Sequence, residues 1–319
     1  MKRYSYLFDD IISMDNLRLA HKNASRGKNK YKEVIEINKD VDKYCKIIQE
    51  MLVNKTFTTS EYKVKMKNDR GKLREIFVLP YFPDRIIHHA IMQVLEPIWK
   101  KTFITHTYQS IKGRGIHKCK RDVEKITKSD ADFLYCYKID ISKFYPSINN
   151  EIMKSIIRKK IKCKGTLWLL DNIIDSTEGV PIGNYLSQFL GNLYLTYFDH
   201  YVKEVLRCKY YFRYCDDVVL ISESKDELVS YIGPIKCELD KLRLKVKRNE
   251  QLFEIEDRGV DFIGYVFYMR YTLLRDSIKR RMLTTLLTKS YPSYCGWLTH
   301  CNGYNLLKKY KEMINESTK

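Results

Sequence analysis

Apolar and polar positions along the 319-residue chain repeat with two different periods, and each change of period marks a new element. Over residues 1–55 the apolar positions recur at helical spacing, as at Val41, Tyr44, Ile48 and Leu52. The basic stretch "NASRGKNKYK" (23–32) interrupts them as a flexible loop. From 60 to 80, "SEYKVKMKNDRGKLREIFVLP" alternates apolar and charged residues around an "NDRGK" turn, which predicts a basic β-hairpin. In "DRIIHHAIMQVLEPIWKKTF" (84–103) the period returns to helical through Ile86, Ile87, Ala90, Ile91, Val94 and Leu95, with a stop expected near Pro97. His88 and His89 are no metal pair, because neighbours on a helix point about 100° apart.

Further along, "YCYKIDISKFYPSI" (135–148) begins as a strand and ends at a proline, with Asp140 near the strand's end. Residues 149–175 read as basic helices. "TEGVPIGNYLSQFLGNLYLTYFDHYV" (177–202) is a Gly/Pro loop feeding an apolar helix. A hairpin over 209–222 and a helix near 225–242 follow. "VDFIGYVF" (260–267) reads as a strand, and the basic tail from 270 to 319 as helices.

A formal charge of +19, spread over the whole length, changes the picture from a generic α+β protein to one suited to a polyanion, with nucleic acid the default partner. The 25 tyrosines and 13 phenylalanines supply rings for base stacking, although most must be core. Nine cysteines, an odd number with no C-x-x-C pair, predict reduced thiols in a cytosolic setting rather than a zinc ribbon or a disulfide framework. The N-terminus is amphipathic and carries acids, unlike a signal peptide, and no apolar run approaches a membrane span.

The candidate chemistry lies in "YFRYCDDVVLIS" (211–222), where Asp216 and Asp217 stand between two β-forming runs. Close carboxylates repel unless a cation or a proton joins them. Asp140, at the end of another β segment, supplies a third. Such a trio can hold two Mg²⁺ ions about 4 Å apart, which activate a 3′-hydroxyl and stabilise leaving pyrophosphate.

With these motifs in order, the chain resembles a reverse transcriptase from about residue 70 onward. "GKLREIFVLPYFPDRIIHHAI" resembles the fingers segment of bacterial and group II intron enzymes, and "YQSIKGRGIH" (108–117), with Arg114, the loop that follows it. "DISKFY" resembles the first catalytic aspartate motif, "GVPIGNYLSQ" the template–primer loop, and "YCDD" the second catalytic motif. "VDFIGY", with Gly264, resembles the primer grip, and "YCGWLTHCN" (294–302), with Trp297, the thumb. The resemblance implies that Asp140 and Asp216 ligate metal, with Asp217 as the neighbouring catalytic acid. It places Tyr145 as an aromatic gate against a ribose 2′-OH and Arg74 as a triphosphate contact, with Lys63 and Lys65 as alternates. Gly183 falls beside the nucleotide; Ser187 and Gln188, with Arg114, Gly264 and Trp297, fall along template and primer. For the proton donor to pyrophosphate no lysine of "LRLKVKRNEQLF" (242–253) matches cleanly, and Lys247 is the nearest.

One departure is specific. Where most relatives read Gln-Gly, this loop reads Ile182-Gly183-Asn184-Tyr185-Leu186-Ser187-Gln188, which resembles the reverse transcriptases of diversity-generating retroelements. Those enzymes copy a template-repeat RNA and misincorporate opposite adenine. An isoleucine cannot offer the hydrogen bond of an amide, so weaker discrimination follows.

The expected architecture is α+β, a right-hand polymerase with an RRM-like antiparallel palm and a short helical thumb. Its expected parts are a helical extension (1–55), fingers (56–133), palm (134–268, with a helical insert at about 149–177) and thumb (269–319). The resemblance implies Mg²⁺ as cofactor, with Mn²⁺ as a substitute. It implies template RNA, cDNA or primer and dNTPs as partners, and a basic helical-bundle accessory protein. A bacterial or phage cytoplasm is the expected location. No endonuclease or RNase H segment is expected after the thumb. A retron or phage-defence reverse transcriptase is the nearest rival, although no Val-Thr-Gly segment is found near the thumb. A silent RNA-binding scaffold is the rival of another class.

Overall fold

A computed structural model of the chain describes residues 3–69, 71–284 and 290–317; the expected turn residue Arg70 and the helical expectation over 285–289 lie outside the described residues. The first helices are α1 (Phe8–Ile12), α2 (Met14–Ala24), α3 (Lys32–Ile37) and α4 (Val41–Val53). Strands β1 (Lys63–Asp69) and β2 (Lys72–Val78) precede α5 (Ile86–Lys100), β3 (Thr107–Tyr108), α6 (Ile116–Thr127) and β4 (Tyr135–Asp140). Then come α7 (Phe144–Ser147), α8 (Asn150–Arg158), α9 (Lys164–Ile174), α10 (Tyr185–Tyr194) and α11 (Thr196–His200). Next are β5 (Tyr210–Tyr214), β6 (Asp217–Ser222), α12 (Lys225–Lys241), β7 (Gln251–Glu254) and α13 (Ile255–Arg258). The chain closes with β8 (Val260–Phe262), β9 (Tyr265–Phe267), β10 (Thr272–Leu274), α14 (Asp276–Thr284), α15 (Tyr291–Leu298) and α16 (Tyr304–Ser317). The chain is thus mixed α+β.

Side-chain caps start several helices where the sequence offers a short polar residue. Ser13 accepts from the Asn16 N–H at 3.3 Å, Asp40 from Lys43 at 3.0 Å and Asn149 from Ile152 at 3.1 Å. Helix α5 does not stop near Pro97 but runs through it to Lys100. The reason is tertiary: continuing the helix buries Ile98 and Trp99, and the Trp99 ring lies 5.8 Å from Phe189. That burial outweighs one missing intrahelical bond.

The chain forms two compact units, the first comprising 1–104, 142–199 and 240–244, the second 105–141, 200–239 and 245–319. Segments expected as fingers and as palm each contribute to both. In the first unit β1 and β2 make a two-stranded antiparallel ribbon, paired from Lys63↔Val78 to Asp69↔Lys72. Cross-strand partners share a face, so Lys63, Lys65, Lys67 and Arg74 lie on one side and Val64, Met66 and Leu73 on the other.

The second unit is built on a five-stranded sheet, ordered β3-β5-β6-β4-β7, antiparallel except for the short β3 beside β5. Central β6 is buried on both faces from Val218 to Ile221, which explains its unbroken apolar run. A second sheet, β10-β9-β8, shares its core: Phe212, Val219 and Ile221 cluster with Phe262, Tyr265, Phe267, Ile278, Met282 and Tyr310. The segment read as one strand over 260–267 is instead a hairpin, β8–β9, turning at Ile263 (φ 47°) and Gly264 (φ 90°).

Gly264 is needed at that turn for two reasons. Its positive φ disfavours a side chain, and a Cβ there would fall 2.7 Å from the Trp297 ring and 3.0 Å from Ile278. Gly264 and Trp297, both expected near primer, are therefore packing partners of each other. Gly264→Ala should destabilise the chain by about 1–3 kcal/mol, read as a melting temperature lower by several degrees in calorimetry. Wild-type melting in the variant would show that Trp297 can move aside at no cost.

Candidate active site

The antiparallel register of β4 and β6 sets Asp140 directly opposite Asp217. Tyr214 of β5 faces Asp217 from the other side. Asp140, Asp217 and Tyr214 therefore share one row and one face, with Lys138 two residues along β4 on the same face. Asp216 sits in the two-residue turn between β5 and β6, and its carbonyl accepts from the Ile141 N–H at 3.2 Å. The three carboxylate residues are thus gathered by backbone pairing.

The turn itself is held by a residue that the sequence reading missed. Cys215, its first residue, has φ 60°, a conformation in which glycine is usual. Arg213, fully buried, donates from Nη1 to the Cys215 carbonyl at 2.9 Å, and its backbone N–H donates to His106 at 3.0 Å. A charged residue between Phe212 and Tyr214, in an otherwise apolar strand, was the available signal.

Electrostatics around the row are strained. Burial pushes the Asp217 carboxyl up to about 6, with Asp140 and Asp216 adding repulsion, while Lys138 and Arg275 pull the other way. Burial also raises Asp216, helped by Asp140 and opposed by Lys247. Lys247, the candidate proton donor, places its ammonium 2.5 Å from Asp140 Oδ2. Backbone pairing holds it there: the Lys247 N–H donates to the Asp140 carbonyl at 2.8 Å, and Ile141 bridges Val246. Lys138 donates to the Asp261 carbonyl, and Arg275 pairs with the Asp261 carboxylate at 2.5 Å. Neither cation was singled out from sequence, although Lys138 shares the face of Asp140 by simple alternation.

Among the described residues, no three His, Cys, Asp or Glu side chains are drawn together closely enough to hold a metal ion. The donor set nevertheless fits a hard divalent cation in kind. Asp140 Oδ1 is buried with no hydrogen-bond partner, while Oδ2 is taken by Lys247. A buried carboxylate oxygen without a donor is unfavourable, and a cation would satisfy it. Asp140, Asp216 and Asp217 are the residues that would hold one.

The remaining candidates in the second unit are placed as follows. Arg114 lies in a tight loop, where its N–H donates to Ile111 and its carbonyl accepts from Gln109. Trp297 is half-buried, with its ring 5.2 Å from Tyr265.

In the first unit, Lys65 and Arg74 are exposed on the basic face of the ribbon. Ile182 is half-buried, and its carbonyl accepts from the Phe77 N–H of β2 at 2.8 Å. Gly183 follows with φ 123°, and a Cβ there would meet the Phe77 carbonyl at 2.8 Å and Ile76 at 2.9 Å. Only glycine allows the loop to lie this close to the ribbon. Ser187 is buried, whereas Gln188 is exposed. Tyr145 is half-buried; its carbonyl accepts from Val180 at 2.9 Å, and its ring lies 3.0 Å from where a Cβ on Gly191 would be.

With this geometry in view, comparison with known proteins is decisive. Residues 63–267, more than half of the chain, match the family described as "Reverse transcriptase (RNA-dependent DNA polymerase)". The chain belongs to the reverse transcriptase family. Protein YkfC of Escherichia coli (strain K12) is 28% identical to this reverse transcriptase over 156 residues, 44% of the chain and 40% of YkfC. Nuclear intron maturase 1, mitochondrial, of Arabidopsis thaliana is 25% identical over 111 residues, 34% of the chain and 15% of the maturase. The chain therefore spans less than half the length of these relatives. Among solved structures, apo telomerase from Candida tropicalis superposes with a TM-score of 0.53 at 15% identity, covering 76% of this chain and 51% of the telomerase. That likeness establishes the fold. It agrees with the polymerase architecture expected from the motifs.

The raised Asp217 gives a signed prediction. In the folded chain its carboxyl holds a proton up to about pH 6, whereas an unfolded aspartate releases it near pH 4. The folded state thus binds more protons between those values, so stability falls as pH rises through the window and the penalty is complete above it. In metal-free buffer, Asp217→Asn should raise the melting temperature by a few degrees at pH 7.5 and by little at pH 4. Added divalent cation should stabilise the wild type more than the variant. A variant that melts below wild type at pH 7.5 would contradict this.

Proposed function

We propose that the chain copies RNA into DNA, extending a primer by attack of its 3′-oxygen on the α-phosphate of a dNTP with pyrophosphate as leaving group. What supports this beyond family membership is the trio Asp140, Asp216 and Asp217, set by register and turn with one buried oxygen unsatisfied. Divalent cations, Mg²⁺ with Mn²⁺ as substitute, would supply charge stabilisation for the attacking and leaving oxygens. The protein's own part is to orient them: Arg213 fixes the turn that carries Asp216, and the β4–β6 ladder fixes the other two carboxylates. Lys247 is the candidate proton donor to pyrophosphate, and its ammonium already pairs with Asp140. Tyr145 is read as the sugar gate, and Arg74 with Lys65 as the triphosphate contact. A basic helical-bundle protein is the accessory partner in this reading.

Primer extension tests the assignment. Asp216→Ala/Asp217→Ala should abolish dNTP incorporation yet leave RNA binding nearly intact, because phosphate contacts come from Lys and Arg. Cation-dependent synthesis persisting in the double variant would remove these residues from the chemistry.

The finer reading is error-prone copying of a template-repeat RNA for gene diversification. Its support is Ile182, an apolar side chain next to Gly183, where the commoner pattern has an amide. The likeness to intron maturases favours a second reading, in which an intron RNA is template and partner. The error spectrum separates the two. Wild-type cDNA should carry errors concentrated opposite template adenine, and Ile182→Gln should reduce them roughly twofold to tenfold, the worth of one hydrogen bond at about 0.5–1.5 kcal/mol. Equal, low error rates opposite all four bases would end the diversification reading while leaving polymerase chemistry standing.

A further inference from the structure

A second basic site lies in the first unit, on the turn that joins α8 to α9. The run "RKKIKCK" (158–164) crosses that turn, and the N-terminal segment is annealed alongside it. Tyr4 pairs with Ile161 in parallel: the Tyr4 N–H donates to the Lys160 carbonyl at 2.8 Å, and the Lys162 N–H donates to the Tyr4 carbonyl at 2.9 Å. This fixes Arg3 beside the run. Arg3, Ser155, Arg158, Lys159 and Tyr197 then line an open groove of about 460 Å³.

The groove has the chemistry of an anion site. Arg158 spends Nη2 on Asp171 at 2.5 Å, but its Nη1 is buried and has no hydrogen-bond partner. Lys159 is exposed, and its ammonium is held 3.7 Å above the Tyr197 ring. Ser155 adds a hydroxyl, which donates to Ile152 at 2.7 Å and keeps its lone pairs. Apart from the Arg158–Asp171 bridge, none of Arg3, Lys159, Lys160, Lys162 and Lys164 is ion-paired among the described residues. Cations concentrated on one turn repel one another. A phosphodiester in the groove would offset that repulsion, since guanidinium and ammonium donors suit its two free oxygens.

We propose that this groove binds backbone phosphate of the RNA on which the chain acts, at a place outside the carboxylate row. The inference rests on the reading that RNA is the template. Successive cations along 158–164 suit a strand's repeated phosphates better than a single small anion. Recognition is by charge and carries no base sequence.

The test uses the full chain with the exposed cations reversed, Arg3→Glu/Lys159→Glu, and neutralised, Arg3→Gln/Lys159→Gln, in case reversal disturbs folding. Affinity for a long RNA is measured by fluorescence anisotropy across a salt series, beside primer extension on a short primed template. Both variants should bind the long RNA roughly tenfold more weakly, with a salt slope shallower by about 1–2, since each lost phosphate contact removes about 0.7–0.9. Extension of the short primer should be unchanged. If wild type binds and extends while both variants keep its affinity and slope, this site is wrong and the polymerase reading survives. If wild type neither binds RNA nor extends a primer, the polymerase reading itself fails. A thermal shift with inorganic phosphate or dNTP that needs Arg3 and Lys159, alongside an unchanged RNA slope, would assign the groove to a small anion and overturn the proposal.

Discussion

Two carboxylates forced opposite each other in a β-ladder are the constraint on which the second unit turns. Like charges in directly facing positions destabilise a sheet, and Asp140 and Asp217 stand in such positions by register. A one-residue slip would separate them, but it would also turn the buried side chains of β6 out of their clusters on both faces. The apolar core therefore enforces a repulsive arrangement. Lys247, Lys138 and Arg275 partly offset it, and the deep burial of Arg213 secures the turn. Stability is spent locally to keep anionic oxygens close, as expected of a site built to receive cations.

The first unit meets a comparable constraint through its backbone. The Phe77–Ile182 hydrogen bond and the side-chain-free Gly183 tie the loop at 180–184 closely to the β1–β2 ribbon. Glycine in the loop motif is thus explained by contact as well as by turn geometry.

Much of this was legible in the sequence, for reasons that differ by element. The β1–β2 ribbon was readable because alternation and an Asn-Asp-Arg-Gly-Lys turn agree, the β5–β6 hairpin because two β-forming runs flank the pair of aspartates, and Asp140 because it stands near the end of a β-forming run. Helix α5 was misjudged at Pro97, since burial of Trp99 against Phe189 depends on partners far along the chain. The β8–β9 hairpin was missed because a turn of Ile263 and Gly264 hides inside an apolar run, and only the Trp297 contact reveals why glycine is there. At the carboxylate row, sequence supplied the three acids and Lys247. It did not supply Lys138, Arg275 or Arg213, whose proximity is created by strand pairing and packing rather than by spacing.

The two-faced ribbon has a consequence for handling the molecule. It is only two strands wide, so β1 is an edge, and Val64, Met66 and Leu73 leave its second face greasy and exposed. Such an edge invites sheet growth between copies. Lysines at alternate positions of β1 oppose that growth by mutual repulsion between ribbons. The same side chains that suit a polyanion thus double as gatekeepers against self-association, and substitutions that strip their charge trade away solubility together with any grip on phosphate.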